Sequence, residues 1–274
     1  MMNKKLILLS LLFWQITPVS AQRITGVLGA FPPELVLLQS KMENKKDTVI
    51  QQIRFTKGTL SGREIVLAQT GIGKVNAAIT TTLMIDHFKP AEIVFSGIAG
   101  GIDPALGPGD IVIGTHVTYH DFGMVQDAGM QYWSTKNPAT MLENPRSFAC
   151  DSSLVSKALA VSKGLQFSKI KRESGSFAPA VAKGIIVTGD VFVSSKIVTE
   201  RLRKELNAAA TEMEGASIAQ TCFQQNTPFL IIRSLSDNAN DKAQNDIMTF
   251  YDIAAHNAAT LVMAVLGTIQ TPTK

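Results

Sequence analysis

The chain has 274 residues, with 26 Lys and Arg against 22 Asp and Glu for a formal charge of +4, and 7% aromatic residues. It contains no run of five or more basic residues and few aromatic ones, which argues against nucleic acid as a partner. With 45% hydrophobic and 18% charged residues, the composition is that of a chain able to bury a sizeable core.

The N-terminus reads as an export signal. Lys4 and Lys5 precede an apolar run from Leu6 to Ile16, Pro18 breaks it, and Val19-Ser20-Ala21 gives the small-x-small pattern of a cleavage site before Gln22. The run is about half the ~20 apolar residues that a membrane span needs. Residues 1–21 are therefore expected to leave, taking two positive charges with them, and residues 22–274 to work outside the cytoplasm as a single domain with no membrane attachment. Ile24 to Gly29 reads as a short buried strand, and Pro32-Pro33-Glu34 opens a helix that carries Leu35, Leu38 and Met42 inward. Ile50–Phe55 and Glu64–Gln69 read as paired strands. A helix rich in alanine and threonine follows Thr70-Gly-Ile-Gly-Lys74 and ends at Pro90; Ala91–Phe95 is then a buried strand running into Gly97–Gly101. Asp110–Gly114 is a further strand. The segment from Phe122 to Gly184 is the least regular, carries Trp133 and holds one helix, Ser152–Lys163. Regular elements resume with the strand Gly184–Thr188, helices over Ser195–Leu206 and Thr211–Gln225, the strand Pro228–Arg233 and a last helix over Thr249–Leu266. Short apolar strands alternating with helices predict an α/β fold with a mostly parallel central sheet.

Cys150 and Cys222 would be free to pair in an exported protein, but both lie among apolar residues, which favours buried thiols. The four histidines, His87, His116, His120 and His256, lack metal-ligand spacing, so no metal and no cofactor is expected. Three strands end in small or polar residues: at Gly29-Ala30, at Gly97–Gly101 and at Ser234–Asp237. Ligands of open α/β sheets sit beyond the carboxyl ends of strands, which makes these three ends the candidate pocket.

Taken together, several motifs resemble the 5′-methylthioadenosine/S-adenosylhomocysteine nucleosidases, within the wider purine and uridine nucleoside phosphorylase superfamily. They are Gly26-Val-Leu-Gly-Ala-Phe-Pro-Pro-Glu34, Thr70-Gly-Ile-Gly-Lys-Val-Asn-Ala-Ala78, Gly97-Ile-Ala-Gly-Gly101 and Pro108-Gly-Asp-Ile-Val112, then Tyr119-His-Asp121, Gly189-Asp-Val-Phe-Val193, Glu212-Met-Glu214 and Arg233-Ser-Leu-Ser-Asp-Asn-Ala-Asn240. They run in the family's order along nearly the whole mature chain. The resemblance implies a three-layer α/β/α sandwich around a mixed, largely closed sheet, usually dimeric in the hydrolases. It also implies cleavage of the bond between an adenine-type purine and a ribose-derived sugar.

The resemblance carries roles with it. Asp237 matches the general acid that protonates purine N7, and Glu34 the glutamate that activates water. Glu214 matches the acceptor of the ribose hydroxyls, with Met213 against the sugar and Glu212 lining the same site. Phe192 would stack on the base, the Val193 backbone would read its edge, and Arg233 would orient Glu34 or the water. Ile98, Ala99, Gly100 and Ser236 complete the expected substrate contacts. Read alone, several of these have plainer explanations: Asp237 as a turn cap, Glu34 as a helix-dipole partner, Phe192 as core.

Phosphorylases of the superfamily are similar to one another in placing arginine in the first loop and before the glycine cluster. This chain has neither, and Glu34 would repel phosphate, so water is the expected acceptor. The nucleosidases commonly have serine where this chain has Ile98, a departure that bears on the water and sugar sites. The 5′ substituent would meet Ile98, Ile247 and Phe250. The alternatives are a phosphate-dependent phosphorylase and an exported nucleoside-binding or storage protein, although a binder needs no acid–base pair. An enzyme outside the cytoplasm would meet scavenged adenosine-like nucleosides as well as methylthioadenosine and adenosylhomocysteine.

Overall fold

Strand β1 (Thr25–Gly29) is buried over its whole length, as its apolar run requires. The computed structural model describes residues 23–127, 129–172 and 175–269, so the expected N-terminal export signal lies outside the described residues. Helix α1 (Pro32–Lys41) starts with prolines in its first turn and buries Leu35 and Leu38, with Met42 buried just beyond its end. Strands β2 (Glu43–Ile50) and β3 (Ile53–Leu60) then form a hairpin. This corrects the expected single strand Ile50–Phe55: Gln51 and Gln52 have φ of 49° and 65°, and two left-handed residues in succession make the tight turn. Glutamine is not the residue type that announces such a turn. Strand β4 (Arg63–Gln69) pairs antiparallel with β3, and helix α2 (Lys74–Phe88) follows, closed by a left-handed Lys89 ahead of Pro90.

Strand β5 (Glu92–Gly101) does not stop at Phe95; it runs on through the glycine cluster. Next come β6 (Ile111–Tyr119), the hairpin β7 (Gly123–Gln126) and β8 (Gly129–Tyr132), and the two-residue β9 (Phe148–Ala149). Helix α3 (Ser152–Ser162) is capped by the Asp151 carboxylate, which accepts from the Leu154 amide at 2.9 Å. A second hairpin, β10 (Ile170–Arg172) with β11 (Gly175–Phe177), precedes β12 (Val181–Thr188). The stretch read as irregular therefore carries paired strands as well as its helix. Helix α4 (Lys196–Leu206) leads to β13 (Ala208–Glu212) and α5 (Gly215–Gln224). The expected helix Thr211–Gln225 thus begins four residues late, because Thr211 and Glu212 belong to a buried strand. Strand β14 (Phe229–Asp237) continues past Arg233, and α6 (Ala243–Thr268) starts six residues before the expected Thr249.

The strands run in the order β2-β3-β4-β1-β5-β14-β6-β12-β13, and β13 pairs back onto β5 through Ala210↔Gly101 and Thr211↔Gly100. That last pairing closes β5, β14, β6, β12 and β13 into a ring. The sheet is mixed: β1–β4, β1–β5, β5–β14, β6–β12 and β12–β13 are parallel, while β6–β14, β5–β13, β2–β3 and β3–β4 are antiparallel. Helices α2 and α5 pack together on one side, and α6 lies on the other against β5, β14, α1 and α3. This is the expected three-layer α/β/α sandwich. By length and composition α6 could cross a membrane, but Ala254, Ala258, Leu261, Val262 and Val265 are buried in the core. Cys150 and Cys222 are both free and buried.

Candidate active site

Closure of the sheet gathers the ends of β5, β13 and β14 around one cleft of about 240 Å³. Its wall includes Glu34, Ile98, Ala99, Gly100, Phe192, Glu212, Met213, Glu214, Ser236 and Asp237, ten of the twelve expected site residues. Val193 borders a small adjoining recess that shares Gly100, Phe192, Met213 and Asp237 with the cleft. Arg233 is the exception among the substrate contacts, although its approach to Glu34 Oε1 at 3.5 Å agrees with the expectation that it orients that carboxylate. It is fully buried, does not line the cleft, and lies behind the carboxylates.

Asp237 reaches the cleft by a bulge. β14 pairs with β5 as Leu235↔Ala99 and then Asp237↔Gly100, so Ser236 is the extra residue that re-aims the strand's end. One Asp237 carboxylate oxygen accepts from Ser236 Oγ at 2.8 Å and the other from the Ala239 amide at 2.7 Å. The turn-cap reading of Asp237 is therefore correct. Burial nevertheless raises its pKa, against the pull of those two donors.

Glu34 sits in the first turn of α1, where its Oε2 turns back to accept from the Ala30 and Phe31 amides. Its Oε1 accepts from the Ile98 amide at 2.9 Å, with Arg233 Nη1 3.5 Å away. Burial raises the Glu34 pKa, opposed by Arg233 and these three amides. Glu214 precedes α5 and accepts from the Gly73 amide at 2.9 Å, with Arg233 Nη2 at 3.4 Å. Burial, then the nearby Glu212 charge, push its pKa up to about 8.

Glu212 has a different part from its neighbours. It accepts from Thr188 Oγ1, from the Glu214 amide at 3.1 Å and from the Gly215 amide, and it pairs with Arg233 Nη2. It thereby caps α5 and holds the arginine. The guanidinium lies 3.8 Å from the centre of the Phe95 ring and faces Glu34, Glu212 and Glu214. Burial alone would lower the Arg233 pKa; the three carboxylates more than offset this and raise it. A buried arginine shared by three carboxylates fixes all of them relative to one another.

The rest of the wall is apolar, from Phe31, Ile72, Ile98 and Ile247. Ile98 packs with Phe31, Ile247 and Tyr251. Phe250, expected beside the 5′ substituent, is not among the lining residues; helical phase turns Tyr251 inward instead. Phe31 and Ile72 lie within quoted motifs but were given no role, and Thr211 was read as helix. Thr211 lines the cleft with Glu212, Met213 and Glu214, and its place directly before the Glu212-Met-Glu214 motif is the signal that could have found it.

Residues 24–267 match the phosphorylase superfamily. The chain is similar to the 5′-methylthioadenosine/S-adenosylhomocysteine nucleosidase of Shewanella sediminis, with 38% identity over 88% of this chain and 97% of that one. Among solved structures, it is similar to the same nucleosidase from Neisseria meningitidis in complex with methylthio-immucillin-A, with 36% identity and a TM-score of 0.78 over 90% and 100% of the two chains. The Colwellia psychrerythraea enzyme in complex with adenine gives 35% identity and a TM-score of 0.77 over 90% and 95%.

Proposed function

The chain belongs to the phosphorylase superfamily and, within it, to the 5′-methylthioadenosine/S-adenosylhomocysteine nucleosidases, and from that premise we propose that it hydrolyses the N-glycosidic bond of adenine-type nucleosides such as methylthioadenosine and adenosylhomocysteine. The observation that carries this reading is the convergence of Asp237, Glu34 and Glu214, far apart in sequence, on one largely apolar cleft.

Each role follows from what the bond needs. As C1′–N9 breaks, positive charge grows on the sugar and negative charge on the base, so catalysis must protonate the base and stabilise the ribocation. Asp237 donates its proton to N7, a task suited to a carboxyl whose pKa is raised by burial. Water bonds to C1′ and loses its proton to Glu34, whose Oε1 accepts from the Ile98 amide at 2.9 Å and faces Arg233 Nη1 at 3.5 Å. Free adenine leaves with the N7 proton, and both carboxyls reset with solvent. Glu214 lines the cleft beside Met213 and accepts from the ribose hydroxyls. Phe192 stacks on the base, the Val193 backbone reads its edge, and Met213 packs on the sugar. Arg233 positions the carboxylates from behind the cleft wall, while Glu212, which lines the cleft, holds Arg233 and caps α5. Ile98, in place of a serine hydroxyl, leaves its own amide as the cluster's contact to Glu34.

Two further readings complete the proposal. The Lys4-Lys5, Leu6–Ile16 and Val19-Ser20-Ala21 pattern supports export and cleavage before Gln22. Ile72, Val75 and Ile79, exposed by 56%, 69% and 48% around the start of α2, support a homodimer formed through this face. The test of function is incubation of the mature protein with methylthioadenosine, adenosylhomocysteine, adenosine and inosine, with and without phosphate, following base release by chromatography. Adenine release independent of phosphate is expected. Acceleration by phosphate with accumulation of a ribose 1-phosphate would replace hydrolysis by phosphorolysis.

A further inference from the structure

Two loops form the mouth of the cleft, one carrying Ile72 and the other Phe192, both about half exposed. Helix α2 begins between them with an exposed amide end and no cap of its own: its N-cap is Gly73, whose φ of 96° suits glycine. The missing caps come from elsewhere in the chain. The Gly73 amide donates to Glu214 at 2.9 Å, and the Lys74 amide donates to Asp190 Oδ1 at 2.8 Å. The Lys74 ammonium then turns back across the gap, 2.6 Å from Asp121 Oδ2 and 3.6 Å from Asp190 Oδ2. The Asp190 amide closes the circuit by donating to the same Asp121 oxygen at 2.8 Å.

We propose that Lys74, Asp121 and Asp190 form an ionic latch that sets the width of the cleft mouth by tying the Ile72 loop to the Phe192 loop. They are positioning residues: none of the three lines the cleft. The geometry gives the latch two effects. It holds the aromatic ring of Phe192 at a fixed distance from the sugar end of the site. It also fixes the α2 amide end, and with it the Gly73 donor that orients Glu214. A cap contributed by a distant loop ties that loop to the helix, whereas a local cap would stabilise the helix alone. Lys74 and Asp121 are each about one-fifth exposed, so the pair is open to salt screening, unlike the sealed Arg233 cluster.

The proposal rests on the nucleosidase reading, and its test separates the two. With methylthioadenosine, which carries no net charge, ionic strength acts only through the protein. In the wild type, KM is expected to rise with salt while kcat holds. In Lys74→Met, which removes both ion pairs, KM should rise roughly five- to tenfold with kcat within about twofold, and the salt dependence of KM should disappear, while Asp190→Ala, which keeps the Lys74–Asp121 pair, should lose only part of it. Lys74→Arg should lie closer to wild type than Lys74→Met. Should Lys74→Met not fold, Asp121→Asn, which removes the closer ion pair and keeps an oxygen for the Asp190 amide, gives the same reading. An unchanged KM in folded variants, or a loss confined to kcat, overturns the latch. Absence of adenine release by the wild type would instead overturn the reading of function.

Discussion

Asp237 carries two duties that compete for the same oxygens. Ser236 and Ala239 donate to it and favour the charged form, while burial favours the neutral one, and burial prevails. An acid of this kind matters most in the transition state, so Asp237→Asn should lower kcat by about 10²- to 10⁴-fold while adenine still binds. Comparing turnover with an adenine titration of the same sample checks this, and near-normal turnover removes Asp237 from the mechanism. Glu214 gives a second test. Its pKa of about 8 lies above the ordinary glutamate value, so the folded protein holds a proton there that the unfolded chain releases. Stability must then fall as pH rises from about 4.5 towards about 8, since folding takes up that proton in this window. Denaturant titrations of the ligand-free protein across this range should show the decline, and Glu214→Gln should flatten it. A variant as pH-sensitive as the wild type would assign the effect to other groups. That these carboxyls share a site was legible only through the family's motif order; alone, Glu34 and Asp237 both satisfied ordinary capping roles, and the structure shows that they fill them.

Strand β5 explains why the glycine cluster is there. The sequence places it at the carboxyl end of the strand Ala91–Phe95, as part of the candidate pocket. In the structure it stays in the sheet, and its lack of side chains lets other groups reach across. A Cβ on Gly97 would coincide with Arg233 Nη1 and with Glu34 Oε1. Gly97→Ala should therefore break the buried arginine–carboxylate cluster, costing about 3–5 kcal/mol in a denaturant midpoint and nearly all turnover. Wild-type stability in that variant would mean the cluster can rearrange. The hairpin β2–β3 shows the reverse case: Gln51-Gln52 gives no turn signal, and the left-handed pair forms because the flanking strands pair from Glu43↔Thr59 to Ile50↔Ile53. Helix α5 starts late for a related reason. Thr211 and Glu212 are held by the strand ladder before the Glu212 side chain caps the helix at Gly215.

At the scale of the molecule, the β5–β13 pairing joins the first half of the chain to the second and makes one cleft of three strand ends. The proposed homodimer belongs to this scale too. Val75 is 69% exposed on α2, and a charge there would be repeated across a twofold axis. Val75→Glu is expected to weaken self-association by at least about a hundredfold without unfolding the protomer, as read by sedimentation over a concentration series. A wild type that sediments as a monomer would end the proposal of a dimer. Export is checked by the intact mass of protein recovered outside the cytoplasm, which should begin at Gln22.

The sequence by itself determined the α/β class, most of the helices and the identity of the carboxyl groups, because periodicity and motif order are local properties of the chain. It also held the export pattern, which is read from composition at one end. Only the tertiary structure decided where strands stop, which pairings close the ring, and that Arg233 stands behind the site rather than in it. Those outcomes depend on groups far apart in the chain: Asp190 caps a helix 116 residues before it, and Arg233 meets Glu34 across 199. Burial, which sets the charge of each carboxyl, exists only once those distant segments have packed together.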